Sequence, residues 1–132
     1  MIVVDSSGWI QVFTGGPRAP ELRLCLDEAE TILVPTIVLY EVYKVIRREA
    51  SAREADTAAA RLKAYRLVPL NDQFALEAAD LSLEHGLAMA DAVVYATARH
   101  YDALLVTSDA DLAELPGVQY IESEGAEPEL TE

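Results

Sequence analysis

The sequence holds a single cysteine, Cys25, which excludes an internal disulfide and matches no metal-ligand spacing. Its two histidines, His85 and His100, stand apart, so no imidazole cluster favours zinc. No long hydrophobic run exists. The apolar stretch from Thr31 to Tyr40 contains Pro35 and spans about ten residues, against the roughly 20 that a membrane span needs. Met1 leads directly into Ile2-Val3-Val4 and Asp5, without the basic flank and apolar stretch of a secretory leader. A cytoplasmic protein in a reducing compartment, with no membrane association, is therefore expected. The turn Gly15-Gly16-Pro17 lacks the Lys and Ser/Thr of a phosphate-binding loop. Basic residues are scarce as well: ten against twenty-three acidic ones, a net charge of -13. That imbalance excludes nucleic-acid binding by bulk attraction to phosphate.

What is present is a chain of one-domain length: 132 residues, 52% of them hydrophobic, enough for one buried core. Short apolar runs at 2–4, 32–34, 67–70, 103–106 and 118–121 alternate with stretches of helical period. All but the last are nearly continuous, as in strands covered on both faces. Helix signals lie between them. Pro20 opens one helix, Thr36 can cap a second, and Ser51 with Glu54 forms a capping box for a third. Asp72 can cap a fourth that stops at His85-Gly86, and a fifth runs from about Ala90 to Tyr101. Strands separated by helices predict an α/β domain with a mostly parallel sheet of about five strands. The composition divides the chain into one domain over 1–121 and an acidic tail over 122–132, which holds five glutamates and no basic residue. Such a tail is expected to be mobile.

Open parallel sheets place their sites outside the carboxyl ends of the strands. Asp5 follows the first strand directly, and Asp109 follows the fourth, with Asp111 two residues on. If those strands are neighbours, Asp5 and Asp109 share one crevice. Glu41 and Asp91 are isolated acids in apolar helical stretches. A carboxylate in such surroundings asks for a partner or a metal. Each acid alone has a structural explanation: Asp5, Asp91 and Asp109 or Asp111 as helix caps or first-turn acids, Glu41 as the ion-pair partner of Lys44 or Lys63. Together they read as one site. Four converging carboxylates need a cation to stay ionised. Their hard oxygens suit Mg²⁺ or Mn²⁺, and the matching chemistry is phosphodiester hydrolysis.

The segments VVDSSGWI, TIVLYEV, ADAVVYATAR and LLVTSDADL resemble the four acidic motifs of the PIN-domain nucleases. In detail the chain is similar to the VapC toxins of bacterial and archaeal toxin–antitoxin pairs, from roughly Ile2 to Ile121. The resemblance implies a three-layer α/β/α fold with the first and fourth strands adjacent. It implies a Mg²⁺- or Mn²⁺-dependent endoribonuclease whose metal-binding and catalytic acids are Asp5, Glu41, Asp91 and Asp109. Ser6 and Thr107 match the small hydroxyl residues that orient those carboxylates, and Asp111 matches an assisting or capping acid. The implied partners are an RNA substrate, a second copy in a homodimer, and an antitoxin whose basic or aromatic tail enters the acidic pocket. With the antitoxin, the assembly is expected to be a heterotetramer or larger.

The basic charge is local. Lys44, Arg47, Arg48, Arg53, Arg61, Lys63 and Arg66 fall in one window with only Glu49, Glu54 and Asp56. Lys44, Arg47, Arg48 and Arg53 are candidates for holding the RNA backbone. The same helical pair could equally be a solvated hairpin, or a dimer or antitoxin surface. Trp9, Phe13, Tyr40, Tyr43 and Tyr95 fall at helical spacing and read as core or interface packing ahead of base stacking, and Cys25 reads as a small packing residue and not a nucleophile. Three other functions stay open. One is a PIN nuclease for RNA maturation or decay; another is an acidic module that binds a basic partner without catalysis. The third, an aspartyl phosphatase, is disfavoured because Ser7 stands where its second Asp belongs.

Overall fold

The computed structural model describes residues 1–122; most of the acidic tail lies outside the described residues. Its five strands are β1 (Ile2–Val4), β2 (Ile32–Pro35), β3 (Arg66–Val68), β4 (Leu104–Thr107) and β5 (Val118–Tyr120). Between them run α1 (Ser6–Thr14), α2 (Ala19–Glu28), α3 (Thr36–Glu49), α4 (Ala52–Lys63), α5 (Asp72–His85) and α6 (Met89–His100). A single 3₁₀ turn, Ala110–Leu112, separates β4 from β5. All paired strands are parallel, in the order β3-β2-β1-β4-β5. The first and fourth strands are therefore neighbours, with Val4 opposite Val106. From β1 the chain steps outward to β2 and β3, then returns to place β4 on the other side. Right-handed crossovers send the helices of the two halves to opposite faces, and this is the expected α/β/α arrangement.

Double coverage explains the continuous apolar strands. Val3, Val4, Leu33, Val34, Leu105 and Val106 are all fully buried. Each helix shows a buried stripe at helical spacing, such as Val38, Val42 and Ile46 on α3 or Ala55, Ala58 and Leu62 on α4.

Several local expectations shift by one residue or more. Pro35 and not Thr36 occupies the cap position of α3. Asn71 and not Asp72 caps α5, its side chain accepting from the Phe74 N–H at 2.9 Å. Pro20 lies in the first turn of α2 but follows Ala19. The third strand ends at Val68, before Pro69, which has no N–H to give a ladder. Ser51 does cap α4, accepting from the Glu54 N–H at 3.1 Å. Gly86 ends α5 at φ +68, with its N–H on the Ser82 carbonyl.

Candidate active site

The strand order reverses between β1 and β4, and in open parallel sheets sites form outside the carboxyl ends of the strands at such a point. Asp5 sits there, in extended conformation, as the cap of α1. It is buried, 4% exposed, and three donors hold it. Oδ1 accepts from the Ser7 hydroxyl at 2.8 Å and the Gly8 N–H at 3.2 Å; Oδ2 accepts from the Thr107 hydroxyl at 2.6 Å. Thr107 in turn accepts from the Asp109 N–H at 2.9 Å, and Ser7 accepts from the Ser108 N–H at 3.3 Å. This network ties the end of β1 to the end of β4. Gly8 is required by space: a Cβ there would come within 2.6 Å of Val4 Cγ1.

At Asp5 the capping role and the candidate site role fall on one side chain. The same holds for Asp109, which accepts from the Asp111 N–H at 2.9 Å and caps the 3₁₀ turn. Burial raises the Asp5 carboxyl above the usual carboxylate range; its three hydrogen bonds pull it back, and the Asp109 charge pushes it up again. Asp91 lies in the first turn of α6, whose cap residue Ala88 offers no side-chain bond. Its carboxyl is pushed up to about 6, first by burial and then by the charges of Asp109, Asp5, Glu41 and Asp111. The other acids singled out from sequence thus all stand near enough to raise the Asp91 carboxyl. Glu41, half-buried on α3, lines a small pocket with Ser6, Tyr40, Lys44 and Arg48. It forms no ion pair with Lys44 or Lys63 among the described residues.

Two supporting assignments change. Thr107 orients Asp5 as expected, but Ser7, one residue beyond Ser6, supplies the second hydroxyl. Helix geometry decides this, because the residue two positions past the cap faces back to the cap side chain. Of the proposed RNA contacts, Lys44, Arg47 and Arg48 line a groove between α3 and α4, and Lys63 joins them. Arg53, near the start of α4, is not among the residues lining it. Tyr40, read as packing, is 61% exposed.

A family model for the PIN domain matches residues 2–118. The chain belongs to the PIN domain family. A comparison with curated proteins gave no match. Solved structures share the fold. A toxin–antitoxin complex from Klebsiella pneumoniae has a TM-score of 0.75 at 22% identity, with 90% of this chain and 96% of that chain covered. VapC20 of Mycobacterium tuberculosis, a toxin that cleaves the sarcin–ricin loop, has a TM-score of 0.73 at 23% identity, with 86% and 93% covered. A DNA-bound VapBC from Salmonella typhimurium has a TM-score of 0.72 at 14% identity, with 91% and 96% covered.

In this PIN domain the donor set is made of hard oxygens, which suits Mg²⁺ or Mn²⁺ and not a soft metal. The Ser108 hydroxyl, between Thr107 and Asp109, is buried with no hydrogen-bond partner among the described residues. The carboxylates do not form a closed cage: no three acids, histidines or cysteines among the described residues stand together as a ready ligand set.

Proposed function

We propose that this PIN domain is a Mg²⁺- or Mn²⁺-dependent endoribonuclease that acts as the toxin of a toxin–antitoxin pair. The observation that carries the reading is the field at Asp91, a carboxyl held at about 6 by burial and by Asp109, Asp5, Glu41 and Asp111. Such a perturbed group in a crevice marks a site whose charge awaits compensation. Bound there, the cation supplies a Lewis acid for the scissile phosphate and neutralises the carboxylates. Asp5, fixed by Thr107, Ser7 and Gly8, presents its carboxylate without reorganisation. Lys44, Arg47 and Lys63 hold the RNA backbone away from the acids that would repel it.

The toxin role is supported by the fold shared with components of toxin–antitoxin complexes. The matching partner is an antitoxin whose basic or aromatic tail neutralises the acidic crevice. The working form is a homodimer, joined by antitoxin into a heterotetramer or larger.

The test is cleavage of a mixed RNA pool by the purified full chain with Mg²⁺, with Mn²⁺, and with chelator, beside Asp5→Asn. Metal-dependent cutting that disappears in Asp5→Asn, together with arrest of growth on expression, is the expected result. Cutting that persists in chelator and in Asp5→Asn would remove the metal-site reading. Cutting without any effect on growth would favour a maturation or decay nuclease.

A further inference from the structure

Tyr40 precedes Glu41 on α3, and its 61% exposure sets it apart from Tyr43, which packs against the core. Other large apolar side chains are as exposed, Leu83 and Met89 among them; what distinguishes Tyr40 is that its ring stands next to a proposed site residue. The ring is already engaged by a cation: Lys44 Nζ lies 5.5 Å from its centroid and 3.5 Å from its hydroxyl. Tyr40, Lys44 and Arg48 also line two depressions at once. One is the small pocket that contains Ser6 and Glu41; the other is the groove of about 820 Å³ between α3 and α4. Tyr40 is therefore the ridge between the Glu41 pocket and the groove.

The chemistry of the groove selects its occupant. Its floor is apolar and aromatic, with Tyr43 and Ala59, and its rim carries Lys44, Arg47, Arg48 and Lys63. No carboxylate lines it among the described residues, although the chain carries more than two acidic residues for each basic one. Arg48 is paired with Glu49 at 2.9 Å, which leaves Lys44, Arg47 and Lys63 as the rim cations outside any ion pair there. Such a groove repels a basic peptide. An acidic peptide would satisfy the rim but bring nothing flat for the ring. A nucleic-acid duplex would satisfy the rim while hiding its base faces. A strand with unpaired bases satisfies both.

We propose that Tyr40 is a stacking platform for an unpaired base flanking the scissile phosphate, with Lys44, Arg47 and Lys63 holding the phosphates beyond it. The preferred substrate is then single-stranded or looped RNA. This rests on the ribonuclease reading of the acidic crevice and adds a specificity-determining residue to it.

Binding tests it without cleavage. The full chain carrying Asp91→Asn, in chelator, is titrated with a short single-stranded RNA containing 2-aminopurine, and with the same sequence as a duplex. The single strand is expected to bind more tightly, and stacking quenches its fluorescence. Adding Tyr40→Ala is expected to weaken binding about tenfold, the scale of one base–aromatic stack, and to abolish the quench. Tyr40→Phe keeps both, and the ring's exposure makes all three variants compatible with folding. Equal affinity and quench in Tyr40→Ala, a duplex bound as well as the single strand, or no RNA bound at all would each overturn the proposal. So would displacement of the RNA by an acidic peptide that Tyr40→Ala leaves unchanged, which would give the groove to a protein partner. Kinetics separates the two readings. Tyr40→Ala cleaving with unchanged KM and cut sites overturns the platform alone, whereas a wild-type chain that binds RNA but never cuts it overturns the ribonuclease alone.

Discussion

Thr107, the last residue of β4, donates its hydroxyl to Asp5, the residue that follows β1, at 2.6 Å. The two are 102 positions apart in sequence, and the bond is buried. It exists because β1 and β4 pair in register, with Val4 opposite Val106 and the Asp5 N–H on the Val106 carbonyl at 3.2 Å. A hydroxyl is the right group here: it donates to the buried carboxylate and still accepts from the Asp109 N–H.

Thr107→Val keeps the shape and removes the donor. Loss of a hydrogen bond to a charged buried group is expected to cost roughly 2 kcal/mol of stability, and the Asp5 carboxyl moves further up. RNA cleavage at pH 7 should fall at least tenfold, while Thr107→Ser retains most of both. Urea unfolding and initial cleavage rates on the three proteins check this; a Val variant as stable and active as the parent would refute the assignment.

Asp91→Asn removes one charge from a crowded set. In metal-free protein it is expected to raise the urea midpoint, because the charges of Asp109, Asp5, Glu41 and Asp111 then repel nothing at that position. The same variant is expected to lose cleavage. Opposite signs for stability and activity are the signature of a site that carries strain for function. A destabilised Asp91→Asn would mean that the carboxylate contributes to the fold instead.

The pH response follows from proton counting. Asp91 holds its proton up to about 6 in the folded chain, whereas an unfolded aspartate releases it near about 3.9. Between those values the folded state binds more protons, so metal-free stability falls as pH rises through the window. Asp5 is shifted in the same direction and adds to the trend. Protons and cation compete for these groups. Added Mn²⁺ is therefore expected to raise the melting temperature strongly at pH 7 and barely at pH 5. Thermal melts across that range, with metal and with chelator, decide it; a Mn²⁺ effect independent of pH would count against carboxylate ligands.

Gly8→Ala tests the fit of α1 against β1. Its Cβ would meet Val4 Cγ1 at 2.6 Å and Leu22 Cδ2 at 3.3 Å, both on fully buried side chains. Overpacking of this kind costs typically about 1–3 kcal/mol. The Gly8 N–H bond to Asp5 should lengthen with it, so activity falls beyond what the folded fraction explains. Denaturation midpoints set against specific activity separate the two effects.

The rim cations give a salt signature. Lys44→Ala and Arg47→Ala should each weaken RNA binding and reduce the slope of log affinity against log salt by about one. Arg53→Ala, outside the groove, should leave the slope unchanged. Anisotropy titrations over a range of salt concentrations measure it.

Much of this was legible before any coordinates. Asp5, Asp91 and Asp109 announce themselves as acids beside apolar runs, since an unpaired carboxylate there needs compensation. The register of the hydroxyls was less so. Ser6 and Ser7 are chemically alike, and only the backbone turn into α1 decides that Ser7 faces Asp5. The exposed place of Tyr40 follows from helix geometry. It lies two residues from both Val38 and Val42, roughly 160° around the helix from each, so the period of the buried Val38-Val42-Ile46 stripe by itself places it on the side away from the core.

By itself the sequence determined the elements and their two-sided burial, because continuous apolar runs have no other stable place in water. It supplied the candidates for the site as well: two acids at strand ends, two isolated acids in apolar helical stretches, few cations, and most of those cations gathered in one window. Which acids meet was decided by tertiary structure, through the strand order that puts β4 beside β1. So was the separation of charge, with the acids converging on the crevice and Lys44, Arg47 and Lys63 on a groove beside it. The physical reason is that composition adds charges without regard to place, whereas the interaction between them depends on distance and burial. A net charge of -13 describes the whole chain; an RNA strand would meet only one side of the Tyr40 ridge at a time.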